Sequence, residues 1–351
     1  MLRAYLDAVR AWAGAARLEA APAAAAFVEV VLAAHGRAGE RLDVALLERL
    51  PEAARALASP PAPPAELARP ELLGQVYEAL LEPTGRRRRG AYFTPPAAAA
   101  GLVRAALACW TAPADGAASP APAVCDLTCG GGVFLLAAAE ALAASATSPL
   151  DAAARVRGVD VDPGACEVAA ASLALWARLR GASLPGASRA GAAAVRCADA
   201  FTLHGAQFDL VVGNPPFLNQ LQRGTARAPE QAAVLARRFG GAARGYVDSS
   251  ALFLLAALDL VRAGGVVALV QPESLLAAAH AEGVRAALLE RAGLHGLWLA
   301  GEAVFDAAVR VCAPVLVLAG GAAPPAAGLL RWTGCEVTPA PPLALDAHAL
   351  A

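Results

Sequence analysis

Asn214-Pro215-Pro216-Phe217 gathers the most chemically pointed residues of the chain. The four follow a short apolar run, Phe208 to Gly213, so they fall where a strand ends and a loop begins. Two consecutive prolines fix φ and donate no backbone N–H. Each also biases the residue before it away from the helical region. The product is a stiff, extended turn with two acceptors directed outward, the Asn214 side-chain oxygen and the Pro215 carbonyl. An exocyclic amino group has two hydrogens to donate to such a pair. Phe217 offers a flat apolar face beside them. The segment suits an amine carried on a flat ring or an amide. Read alone, Asn-Pro is also a common turn starter, so the rest of the chain decides.

Upstream, three more apolar runs each end in an acid. Val124 to Leu135 reads as a strand, a glycine-rich turn and a helix, with Asp126 at the strand end and Thr128, Cys129, Gly130 and Gly132 in a turn expected to receive a cofactor. Glycines admit a ligand close to the backbone and adopt positive φ. The turn is not G-x-G-x-x-G and no lysine follows it, which disfavours a dinucleotide or ATP. The next run ends in Val159-Asp160-Val161-Asp162. Asp160 is placed to accept two ribose hydroxyls of a nucleoside, whereas Asp162, before Pro163, suits a helix N-cap. In Cys197-Ala198-Asp199-Ala200-Phe201, Asp199 can accept from an adenine amino group and Phe201 can supply an apolar wall. Each acid singly reads as a loop carboxylate or a cap. Three at successive strand ends, followed by the Asn-Pro-Pro-Phe corner, form a much rarer arrangement.

The elements that must position these residues alternate. Strands are expected at Ala123–Leu127, Val156–Val161, Ala194–Ala198, Phe208–Val212, Gly265–Val270, Gly296–Ala300 and Pro314–Leu318. Helices are expected at Val133–Ala144, Pro163–Arg180, Asp248–Arg262 and Ala278–Ala292. The alternation implies an α/β fold, a mostly parallel seven-stranded sheet covered on both faces. Loops are expected over Gly181–Gly191 and Leu218–Gly245. Residues 320–351 read as a Pro/Ala-rich tail with at most one strand, near Leu330–Trp332. The N-terminal region reads as helical, over Leu2–Arg17, Ala23–His35 and Leu42–Leu50, with Pro22 at the start of the second helix. After a proline-rich break, Leu72–Leu81 reads as one more amphipathic helix. The expected division is a helical region at 1–82, a catalytic domain at 83–320 and a low-complexity tail at 321–351.

Composition narrows the class. All 29 basic residues are arginine and the net charge is −1, so the chain does not present the strongly basic face of a dedicated nucleic-acid binder. The seven cysteines form no C-x-x-C pair or framework, which points to a reducing compartment and a cytoplasmic protein. No segment reads as transmembrane or as a signal peptide, and no metal is implied.

With these residues in place, the chain resembles S-adenosylmethionine-dependent methyltransferases of the Rossmann-like fold, and more narrowly the gamma class of N6-adenine DNA methyltransferases. Arg89-Gly90-Ala91-Tyr92-Phe93-Thr94-Pro95-Pro96 is similar to that class's cofactor segment, and Leu73-Gly74-Gln75-Val76-Tyr77-Glu78 to its upstream helix. Asp126 to Phe134 resembles its D-P-A-C-G-S-G-x-F loop, departing at Leu127 and Gly131. Gly264 to Ser274 resembles its G-G strand ending in proline. The likeness runs over roughly residues 72–319. It implies S-adenosylmethionine as cofactor, contacted by Thr94, Asp126, Asp160 and Asp199. It implies a flipped adenine of DNA as substrate, held by Asn214, Pro215, Pro216 and Phe217, with Phe305 against its other face.

Arg223 in the following loop is a candidate phosphate contact, as are Arg86 to Arg89, Arg227, Arg237, Arg238 and Arg244. Only about thirty low-complexity residues follow the match, so either a separate specificity or restriction subunit reads the DNA sequence, or the chain is a reduced or degenerate relative of the class. Two rivals stand beside this reading. One is a glutamine N5-methyltransferase of proteins, which uses a similar Asn-Pro-Pro turn. The other is a non-catalytic subunit that keeps the fold.

Overall fold

The computed structural model describes residues 1–48, 60–81, 94–112, 121–206, 208–217, 229–243, 247–301, 309–320 and 328–343. Helices α1 (Leu2–Ala15), α2 (Ala20–Ala34), α3 (Ala45–Glu48), α4 (Glu71–Leu80) and α5 (Pro96–Cys109) come first. Then follow β1 (Val124–Asp126), α6 (Val133–Ala143), α7 (Pro149–Ala154), β2 (Val156–Asp160), α8 (Pro163–Leu179), α9 (Leu184–Ala194), β3 (Val195–Cys197) and β4 (Phe208–Gly213). The rest comprises α10 (Pro229–Phe239), α11 (Ser249–Leu258), β5 (Val261–Leu269), β6 (Gln271–Pro272), α12 (Ser274–Ala277) and α13 (Glu282–Leu289). It closes with β7 (Ala292–Leu299), β8 (Val311–Leu318), β9 (Leu329–Thr333) and β10 (Thr338–Leu343). The chain divides into two compact units, Met1–Pro83 with Cys129–Ala198, and Thr84–Thr128 with Asp199–Ala351.

In the first unit β2 and β3 pair in parallel, Asp160 opposite Cys197. Helix α1 buries Tyr5, Val9 and Ala13, one stripe at four-residue spacing. Tyr5 and Trp12 both meet Phe27 of α2 edge-on, at 6.4 and 5.8 Å. Helix α8 packs against α2 and α4. It begins at an Asp162 cap, whose carboxylate accepts from Gly164 N at 3.1 Å, with Pro163 in the first position. Pro22 lies two residues inside α2, which starts at Ala20; that is still the first turn, where an N–H has no helical partner.

Expected as a loop, residues 181–191 instead include most of α9. The Ser, Pro and Gly residues that suggest a turn have other uses here. Ser183 caps the helix by accepting from Gly186 N at 3.2 Å. Gly191 is bare because a Cβ there would sit 2.2 Å from Ala170 O on α8. Tertiary contact overrides the weak helix propensity of glycine.

In the second unit the strand order is β10-β9-β7-β8-β5-β4-β1, with β6 beside β8. β1, β4 and β5 run parallel, β8 is antiparallel to both β5 and β7, and β9 is parallel to β7. The fold is α/β, but the sheet is mixed. Ten strands are described rather than seven mostly parallel ones. The helix expected over Asp248–Arg262 ends at Leu258, and Val261 and Arg262 open β5. A register shift lets β5 start earlier than its uninterrupted apolar run, with Gly264 at φ +75° in the irregular stretch.

Residues 329–343 also differ from the expected tail. They form the antiparallel pair β9–β10. Trp298 Nε1 donates to Gly334 O at 2.9 Å, and a Cβ on Gly101 of α5 would collide with Glu336 O at 2.4 Å. Prolines 339, 341 and 342 place β10 at the end of the strand order, where ladder N–H groups are dispensable. Likewise α10 occupies part of the expected loop 218–245.

Candidate active site

In the second unit, parallel pairing of β1 and β4 brings their carboxyl ends to one edge. Asp126 ends β1, and Gly213 ends β4 immediately before Asn214. The two ends fit closely: a Cβ on Gly213 would lie 2.4 Å from Asp126 Oδ1. Asp126 is 1% exposed, and its Oδ1 accepts from Thr128 N at 3.0 Å. The carboxylate is thereby locked by its own turn.

Asn214 is half-buried, Pro215 buried, and Pro216 and Phe217 half-buried. The Asn214 side chain does not simply face outward. Its Nδ2 donates to Thr94 Oγ1 at 3.0 Å, across 120 residues of sequence. Thr94 is itself buried, just ahead of α5. This bond fixes which way the amide points. Asn214 Oδ1 is buried, and no donor among the described residues reaches it. A buried acceptor left unpaired costs about 1–3 kcal/mol, which a bound N–H donor would recover.

Asp199 is exposed and caps a short turn by accepting from Phe201 N at 2.9 Å. Phe201 is buried against Phe253, at 4.4 Å between ring centres, and Phe239, at 6.2 Å. Arg238, a candidate phosphate contact by sequence, is committed elsewhere. It binds Asp259 Oδ2 at 2.8 Å and Leu203 O at 3.1 Å, and also donates to Phe201 O. Its guanidinium is a strut under the Phe201 turn rather than a free cation. Arg86 to Arg89, Arg223, Arg227, Arg244 and Phe305 lie outside the described residues.

The first unit holds the other acid. The glycine turn enters it at Cys129, whose N donates to Val159 O at 2.9 Å. Gly130 and Gly132 sit at φ +50° and +93°, conformations that side chains resist. Gly130 N donates to Asp160 Oδ2 and Asp162 N to Asp160 Oδ1, both at 2.9 Å. Each carboxylate oxygen keeps a free lone pair after these bonds. Burial pushes the Asp160 carboxyl above the ordinary aspartate range; the backbone N–H groups of Asp162, Gly130 and Val161 pull it partly back, and the neighbouring Asp162 charge adds to the rise.

Two features here escaped the sequence. Val161, between the two acids, is 66% exposed, second only to Met1 among the large hydrophobic side chains of the described residues. A strand-end valine flanked by acids gives no local sign of that exposure. Tyr77 and Gly74 of α4 touch the same turns, and only their place in a familiar-looking segment hinted at a role.

The model of the N-6 DNA methylase family matches residues 68–326, and the chain belongs to that family. Its activity class is accordingly that of a DNA adenine-N6 methyltransferase. Among solved structures, it is similar to a Listeria monocytogenes protein described as a class I S-adenosylmethionine-dependent methyltransferase. That match has 15% identity and a TM-score of 0.57, covering 96% of this chain and 93% of the other. It is similar to the Type IIL restriction-modification enzyme MmeI in complex with DNA (15%, TM-score 0.54), covering 90% of this chain and 51% of that one. It also resembles the type IIG restriction endonuclease BpuSI (16%, TM-score 0.56), covering 91% and 39%. The chain therefore spans about half or less of these two larger enzymes. No curated protein sequence matches it. Among the described residues, no helix is long and apolar enough to cross a membrane.

Proposed function

We propose that this chain methylates N6 of an adenine swung out of duplex DNA, using S-adenosylmethionine, as the modification enzyme of a restriction-modification system. The observation that carries the reading is Asn214: its amide is oriented by Thr94, and its Oδ1 is a buried acceptor without a donor among the described residues. An adenine amino group is a donor of the required kind, and family membership supplies the reaction.

Adenine N6 is a poor nucleophile because its lone pair is delocalised into the ring. Accepting one N6 hydrogen at Asn214 Oδ1 and the other at the Pro215 carbonyl favours a pyramidal nitrogen with its lone pair free. Phe217 would stack on the base, a contact worth about 1–3 kcal/mol. A base inside a duplex is out of reach, so it must first leave the stack. When bound, S-adenosylmethionine supplies a methyl already activated on a sulfonium. Asp160 would accept from its ribose hydroxyls, Asp199 and Phe201 would meet its adenine, and Thr94, Asp126 and the turn Thr128, Cys129, Gly130 and Gly132 would hold the remainder. The residues present fit such a group: a doubly anchored carboxylate and a turn whose Gly130 and Gly132 sit at positive φ with no side chain of their own. Positioning and fixed dipoles account for most of the rate, since little proton transfer is required.

The net charge of −1 supports a partner subunit that supplies DNA affinity and sequence reading. The seven free cysteines agree with a cytoplasmic setting. The test is methyl transfer from labelled S-adenosylmethionine to duplex DNA, with and without the products of neighbouring genes, read by mass spectrometry of nucleosides. N6-methyladenine is the expected product. Label recovered only as N5-methylglutamine in protein would replace this reading by the protein-methyltransferase one.

A further inference from the structure

Helix α4 carries Leu73-Gly74-Gln75-Val76-Tyr77-Glu78, a segment that neither the donor nor the base reading uses. It touches both turns that hold Asp160, all within the first unit. At the glycine turn, backbone meets backbone: a Cβ on Gly131 would lie 2.4 Å from Gly74 Cα, and one on Gly74 would lie 3.1 Å from Gly131 O. Such an approach permits no side chain on either partner. At the acid turn, the buried Tyr77 donates its hydroxyl to Asp162 Oδ2 at 2.8 Å. Gly164 makes room for it, since a Cβ there would sit 2.8 Å from the Tyr77 oxygen.

The bonds continue to Asp160. Asp162 gives its own N–H to Asp160 Oδ1, and Gly130, next to the Gly131 contact, gives its N–H to Asp160 Oδ2. Both donors that aim the Asp160 carboxylate are therefore braced by one helix. We propose that Tyr77 is a positioning residue for the methyl donor: through Asp162 it holds the Asp160 carboxylate in the orientation that accepts the donor's ribose hydroxyls. This rests on Asp160 being the donor-binding acid. A tyrosine that served only to fill space would contribute packing, and its hydroxyl would be dispensable. Asp162 is half-buried, so water can replace the lost hydroxyl with little harm to the fold, while the geometry it imposed is lost.

The experiment is calorimetric titration of the full chain with S-adenosylmethionine and S-adenosylhomocysteine, for wild type, Tyr77→Phe, Asp162→Asn and the double variant. Thermal unfolding and steady-state kinetics accompany it. Tyr77→Phe should bind both compounds about tenfold more weakly, as expected for one hydrogen bond to a charged acceptor. Its kcat at saturating donor should stay within about twofold of wild type, with the loss carried by KM. The double variant should bind no more weakly than the worse single one, because both changes cut the same chain of bonds. Wild-type affinity in Tyr77→Phe would overturn the proposal, as would fully additive losses or a loss confined to thermal stability. If all four proteins, wild type included, bind neither compound, the donor-site reading fails first and takes this inference with it.

Discussion

The two acceptor groups of the molecule are prepared in opposite ways. Asp160 in the first unit is anchored at both oxygens by backbone N–H groups of two turns, so its remaining lone pairs are aimed before any ligand arrives. Asn214 in the second unit is held on one side only. Its nitrogen is tied to Thr94, and its oxygen is buried and unpaired among the described residues. A doubly anchored, aimed acid with lone pairs to spare suits a ligand that binds and leaves repeatedly in one pose. An unpaired buried oxygen is an interaction held in reserve for a donor that must be bound more strongly as the reaction proceeds. Under the proposed function, the contrast is that between an acceptor for binding and an acceptor for catalysis.

Removing the reserved acceptor should have the largest effect. Asn214→Ala should lower methyl transfer by about 10²–10³-fold or more, the range for losing one preorganised polar group. Titration with S-adenosylhomocysteine should still show near-normal affinity. Weakened donor binding of the same size would erase the distinction between the two regions.

Asp160→Asn should act in the reverse sense. Donor affinity should fall about 10–100-fold, as for a hydrogen bond to a charged acceptor, with a smaller change in kcat at saturation. The pH dependence sharpens this. The folded carboxyl is raised above its unfolded value, chiefly by burial. The neutral form is thus favoured by folding, and this contribution to stability, present at low pH, is lost as pH rises through the folded value. Donor affinity should move oppositely, falling as pH drops through the same window, because the carboxylate is the better acceptor. Both trends should vanish in Asp160→Asn, measured by titration and thermal unfolding across pH.

Thr94→Val keeps the shape but removes the oxygen that orients Asn214. A drop of about 10-fold in kcat is expected, the worth of about one neutral hydrogen bond; kinetics at saturating donor would reveal it. An unchanged kcat would mean that the Asn214 amide is oriented by something other than Thr94. The smallest functional effect belongs to Arg238→Ala. Its bonds to Asp259 and Leu203 make it structural, so unfolding should become easier by about 1–3 kcal/mol. The salt dependence of DNA binding should be unchanged. A shallower salt slope would return Arg238 to the nucleic-acid interface.

The features legible in sequence are those written in neighbouring residues. The Asp126, Asp160 and Asp199 strand ends and the proline corner are visible because strand period, helix caps and proline restrictions act over a few positions. The same local rules misled at 184–191 and 338–343. Glycine, serine and proline there serve a cap, a close helix contact and an edge strand rather than loops. In each case long-range packing supplied what local propensity withheld.

By itself the amino-acid sequence determined which residues stand at the ends of strands, and which backbone is stiffened by proline or freed by glycine. Only the tertiary structure decided who their partners are. The Thr94–Asn214 bond spans 120 residues, Gly213 is bare because Asp126 Oδ1 would lie 2.4 Å from its Cβ, and Tyr77 reaches Asp162 across 85. Hydrogen bonds and steric limits depend on tenths of an ångström, and those distances come into existence only when distant segments pack.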